Sequence, residues 1–314
     1  MGMIKPSSMS LPLGVLAGVV LTVLFYAMWG SDSSASLAVV GSRYVTASPQ
    51  TVIASLLHFT YNIGEHELKV FSQNGEDGIL HYVFSNIGHG DRYYVEFGSS
   101  NASECNTRLL YENNGWDGIL MDGNGISPDK RVVHNHMITP KNIVELFQQY
   151  SVPKKFSLLS VDIDSYDYWV LKAILEAGYR PRVLLMEINR NFEMDEAYTV
   201  NQSTYWDLHS LFGFSPKAAR DICDKHGYHM VHLDRNVINA VCINRATLSE
   251  VIQERTGYVV HPEELKKWLP PWGYVYKRSY AIHVDSYATF REAFKKHHAE
   301  GWWLKLNEAG EVIR

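Results

Sequence analysis

VEFGSSNASECNT, residues 95–107, carries an apolar run into an acid, Glu96, then Gly98, then a string of small polar residues. With the two tyrosines before it, Tyr93–Phe97 (YYVEF) reads as a short strand. Thr107 to Asn113 has helical spacing, and Gly115 is its stop signal. A strand, a turn of small residues and a helix are the repeating unit of an open α/β sheet. In such sheets ligands bind beyond the carboxyl ends of the strands, and a glycine there lets backbone approach a ligand closely.

The same unit recurs on both sides of this stretch. Upstream, Glu76 to Asn86 has apolar residues at helical spacing, and Thr51 to Tyr61 can open a helix. Downstream, strands are expected at Trp116–Met121, Phe156–Ile163, Arg182–Ile188, Tyr228–Leu233 and Ala240–Ile243. Helices are expected at Lys141–Tyr150, Tyr168–Ala177 and Pro216–His226. The alternation predicts a Rossmann-like α/β fold, a mostly parallel doubly wound sheet whose last two strands form an antiparallel edge. Residues 61–245 are the expected domain and 246–314 an aromatic-rich extension holding Trp268, Trp272, Tyr274, Tyr276, Trp302 and Trp303. Those aromatics suit packing of the tail, or a sugar platform. Phe290–His298 reads as a helix with a solvated basic face.

The chain has 314 residues and a net charge of −5, which argues against a general nucleic-acid binder. Leu11 to Trp29 is nearly all apolar and long enough to cross a bilayer, with no polar face. We read residues 1–10 as a cytosolic tail, 11–30 as a transmembrane anchor and 31–60 as a stem; a cleaved signal peptide is the competing reading. Lys5 before the run and Asp32 after it favour a type II protein with a lumenal domain, in the Golgi or endoplasmic reticulum. Three cysteines, Cys105, Cys223 and Cys242, argue against a disulfide framework, although one pair remains open in an extracytosolic domain. Asn101-Ala-Ser and Asn201-Gln-Ser are glycosylation acceptors by pattern. A glycan on Asn101 would block the first loop.

Four successive strands end in acids: Glu96, Asp122, Asp162 with Asp164, and Glu187. Together they line one rim of the sheet. Asp122 can accept both hydroxyls of a ribose. No GxGxxG opens a helix, so a nucleoside cofactor without a pyrophosphate fits better than a dinucleotide. VDIDSYDYW (161–169) and MEINRN (186–191) bring Asp162, Asp164, Glu187 and Asn189, hard oxygen donors that suit Mg²⁺ or Mn²⁺. The alternative has no metal, with Asp162 or Asp164 bonding a cofactor amine and Glu187 acting as a base. Candidate bases are Asp164, Glu187 and His136.

Five stretches in order and spacing, FSQNGEDGIL, YYVEFGSSNASECNTRLL, GWDGILMDGN, LLSVDIDSYDYWVLKAI and PRVLLMEINRN, resemble the FkbM-type methyltransferases over roughly residues 70–244. The resemblance implies a class I methyltransferase fold, S-adenosylmethionine as cofactor and methyl transfer to a hydroxyl, often of a sugar. It puts Gln73, Glu76, Glu96, Gly98, Asn101 and Asp122 at or near the cofactor, and Asp162 and Asp164 near the reacting centre. The sequence departs from that pattern at Ala102 and Ser165, where relatives commonly carry glycine. The expected acceptor is a glycan or glycoconjugate of the secretory pathway. The alternative is a non-catalytic, membrane-tethered binding or trafficking protein.

Overall fold

Alternate residues of Tyr93–Phe97 face opposite sides, and that period builds two cores. In the computed structural model, which describes residues 47–127, 131–203, 211–279 and 284–313, this strand is β1. The other strands of the main sheet are β2 (Asp117–Asp122), β3 (Val133–Asn135), β4 (Leu158–Val161), β5 (Val183–Glu187), β7 (Tyr228–Leu233) and β8 (Asn239–Asn244). β6 (Tyr198–Val200), β9 (Trp303–Leu306) and β10 (Val312–Ile313) form a second, small sheet.

The main sheet runs β3-β2-β1-β4-β5-β8-β7, with β1 to β5 parallel. Its parallel part has the Rossmann order. β8 is antiparallel to both neighbours, so the antiparallel strand lies inside the sheet and β7 takes the edge. Helices cover both faces. On one, Val95, Phe97, Leu159, Val161, Leu184 and Met186 pack against α4 (Ile143–Gln149), α5 (Asp167–Glu176) and α6 (Pro216–Lys225). On the other, Tyr94, Leu120, Leu158, Leu185 and Ile243 pack against α2 (Glu76–Ile87), α3 (Arg108–Asn114) and α7 (Arg245–Thr256).

Residues 53–314 form one compact unit; of the unit before it, only 47–52 are described. Parts expected to be a stem or an extension contribute to the cores. Ile53 and Leu57 of α1 (Pro49–Leu57), and Phe59 after it, are buried in the second core. The tail supplies α7, α8 (Trp272–Ser279) and α9 (Val284–Ala299), and β9 pairs with β6. Trp303 is buried among Phe192, Phe290 and Phe294. Packing is thus what most of the tail aromatics do.

Cys223 on α6 and Cys242 on β8 form a disulfide; the sequence left one pair open without saying which. Cys105 remains a buried thiol. The apolar run 11–29 lies outside the described residues, among which no helix is long and apolar enough to cross a membrane.

Candidate functional site

The first loop is built from backbone constraints. Gly98 has φ +69°, and a Cβ there would stand 1.7 Å from the Asp162 carbonyl oxygen. The glycine is therefore required by the close approach of two strand ends, before any ligand is considered. Ser100 and Ala102 also have positive φ, +46° and +60°. Ala102 is fully buried, its N–H bonds Ser99 O at 2.6 Å, and buried Arg131 donates to its carbonyl at 2.6 Å. Sequence reasoning missed Arg131, which lies in an irregular segment with no pattern to mark it. Asp122, at the end of β2, accepts from the Ser100 N–H (2.8 Å) and the Asn124 N–H (2.7 Å). It joins the loops after β1 and β2, and each oxygen keeps a lone pair for another donor.

Several residues expected at the cofactor serve the frame instead. Glu96 points to the α3 side, where it accepts from the Asn106 N–H (2.7 Å), the Thr107 N–H (3.1 Å) and the Thr107 hydroxyl. It is buried, and burial outweighs those bonds, lifting its pKa to about 7. Glu76 is fully buried and bridges the Asn74 N–H (2.7 Å) and the Asn239 side-chain amide (2.5 Å), linking α2 to β8. Neither carboxylate faces solvent. Gln73 is exposed and donates to Glu104 at 3.3 Å. Asn101 is exposed, and its side-chain oxygen accepts from the N–H and hydroxyl of Ser103.

Beyond β4 and β5 the acids meet. Asp162 and Glu187 follow the strands on the same face, one pleat after Ser160 and Leu185. Asp162, Asp164 and Glu187 place one carboxylate oxygen each within 4.8 Å of the others. Among the described residues no ion pair neutralises any of the three, or Asp122. Burial first, then the neighbouring acids, drives the Glu187 pKa far above the carboxylate range, and Asp162 is raised as well. Two carboxylates this close and this buried repel each other when both are charged, which favours one proton held on the pair. Asp164 is more open and less raised; burial and Asp122 are the causes. It holds φ +56°, so the left-handed residue of this turn is Asp164 rather than Ser165. Asp167, buried beneath the turn, accepts from the Ile163 and Ser165 N–H groups and is raised by burial to about 6.

Two candidates fall away from this group. Asn189 is buried, with its amide oxygen accepting from Asn191 (3.1 and 3.0 Å) and its amide nitrogen donating to Phe212 O (3.2 Å). It ties loops together and is not a fourth ligand. His136 lies after β3, its Nε2 2.6 Å from the Tyr150 hydroxyl. β3 is three places from β4, roughly 14 Å at the usual strand spacing. His136 therefore lies beside Asp122, whose carbonyl accepts its N–H at 3.0 Å, and is not part of the Asp162, Asp164 and Glu187 group.

Compared with known proteins, the sequence matches no protein-family model and no curated protein. What stands is a Rossmann-like α/β fold whose carboxyl rim carries clustered acids, with no cation paired to them among the described residues.

Proposed function

We propose that the chain is an S-adenosylmethionine-dependent O-methyltransferase of the FkbM type, with a class I methyltransferase fold, acting on a hydroxyl of a glycan or glycoconjugate. The observation that carries this reading is the rim of four acids, Asp122, Asp162, Asp164 and Glu187, with no neutralising cation among the described residues. A rim of that charge favours a cationic ligand over a phosphate. S-adenosylmethionine fits, having a sulfonium and an ammonium and no phosphate.

In this reading Asp122 accepts the ribose hydroxyls, and Asp162 faces the cationic end. Bound S-adenosylmethionine supplies a methyl group activated by positive sulfur. The acceptor oxygen would take that methyl group from sulfur, and its hydroxyl proton would pass to a carboxylate of the rim. Asp164 is the base, because it is the most accessible of the three acids, while burial holds Glu187 and Asp162 well above the usual carboxylate range. Glu187 keeps Asp162 oriented. A divalent cation such as Mg²⁺ would be held by Asp162, Asp164 and Glu187, in place of the proton on the Asp162 and Glu187 pair. The apolar run at 11–29 would anchor the enzyme in a Golgi or endoplasmic-reticulum membrane with the domain in the lumen. The Cys223–Cys242 disulfide supports an oxidising compartment.

One observation favours a second reading, a non-catalytic membrane-tethered binding or trafficking protein. Both oxygens of Asp122 already accept backbone N–H groups, and Glu96 and Glu76 are enclosed. Calorimetric titration of the full chain in detergent with S-adenosylmethionine, with and without Mg²⁺, separates the two. Saturable binding that Asp122→Ala abolishes supports the enzyme. A folded chain that binds no cofactor supports the second reading.

A further inference from the structure

A cavity of about 590 Å³ opens at the opposite rim from the acids, between α6, the start of β7 and the tail. Its floor includes His229 and Met230, and His229 is in register with Ile243 and through it with Val183. Val183 and Glu187 are the two ends of β5, so the cavity lies roughly 13 Å along the strand from the acid cluster. Its volume falls within the ~300–1,000 Å³ of small-ligand clefts.

We infer that this cavity binds a neutral saccharide. The inference rests on the cavity alone and stands whether or not the acid rim transfers methyl groups. Arg220, Lys225 and Lys266 face Asp221, Asp224 and Glu308 across the lining, three cations against three acids. The two α6 acids are each held by two cations, Asp221 by Arg220 at 2.5 Å and Lys217 at 2.6 Å, and Asp224 by Lys266 at 2.7 Å and Arg245 at 2.8 Å. Charges already paired in this way offer little free attraction to an anion or a cation. It offers donors and acceptors side by side, which is what adjacent hydroxyls require. Trp272, Pro270 and Met230 add an apolar wall for the C–H face of a sugar ring. Trp272 is steadied by its indole N–H bond to Met194 O at 3.2 Å.

The walls are tied together before any ligand arrives. The Cys223–Cys242 disulfide fixes α6, which carries Arg220, Asp221, Asp224 and Lys225, to β8. Lys225 bonds Ala309 O at 2.8 Å, and a ring nitrogen of His229 is 2.9 Å from Pro270 O. A site held in this way loses little freedom on binding.

The test is saturation-transfer NMR and calorimetry of the full chain in detergent with maltose and N-acetyllactosamine, using inorganic phosphate and a sulfated heparin disaccharide as charged probes. Saturable binding of a neutral sugar is expected, at least ten-fold weaker in Trp272→Ala and in the surface variant Arg220→Gln. Failure of both neutral sugars to bind overturns the inference. So does preference for the charged probes, or sugar binding that the folded Arg220→Gln and Trp272→Ala variants both retain.

Discussion

Gly98 and the carbonyl of Asp162 pack so closely that a methyl group between them would lie 1.7 Å from the oxygen. The contact joins the ends of β1 and β4, so one glycine sets the spacing of the loop that opens the candidate site.

Gly98→Ala must move that backbone and also hold an L residue at φ +69°. A loss of about 3 kcal/mol or more is expected in urea unfolding. An alanine variant with the original midpoint would show that the two strand ends are not locked together.

The raised carboxyl pair Asp162 and Glu187 gives a pH dependence with a definite sign. The Glu187 pKa is raised on folding, so its contribution is complete below the ordinary carboxylate range and is lost as pH rises. Glu96, raised to about 7, has largely finished titrating above that pH. His226 and His229, both lowered by burial, are then neutral folded or unfolded. Between about pH 7 and 8.5, without added metal, unfolding free energy should fall by up to about 1.4 kcal/mol per pH unit. Glu187→Gln, which keeps a donor toward Asp162, should flatten that slope; an unchanged slope would place the proton elsewhere.

Ala102 sits at φ +60° in the first loop. Replacing it with glycine removes that strain and loosens the unfolded chain, for a net gain of about 0.5–1 kcal/mol. A calorimetric melting midpoint that falls in Ala102→Gly would mean that contacts of the buried methyl outweigh the strain.

Cys223 and Cys242 are 19 residues apart, and closing a loop of that size stabilises by about 3 kcal/mol in the chain-entropy model. Reductant should lower the urea midpoint of the natural chain. A double alanine variant should already be lower and should ignore reductant. Equal reductant sensitivity in the two chains would rule out the bridge.

The parallel half of the sheet was legible because its strands are short apolar runs, each followed by an acid or a small-residue turn. β3 was missed because Val133–Asn135 has one buried apolar residue and no alternation to read. α7 was missed because Arg245 and Thr247 are buried beside Leu248, Val251 and Ile252, which blurs the stripe. The acid rim could be named from strand ends. Which acids meet depends on the pleat: Asp162 and Glu187 share a face, whereas Asn189 lies past the strand, in a loop that captures its amide. The disulfide needed the packing of α6 on β8, which cysteine spacing does not encode.

The pairing of β6 with β9 joins residues 198–200 to residues 303–305. During translation β6 leaves the ribosome about a hundred residues before its partner exists. Phe192 and Tyr198 must wait as long for Trp303 and Phe294 to cover them. This face is the last to close as the chain is made, and the aromatic surface it leaves open in the meantime is the kind that chaperones hold.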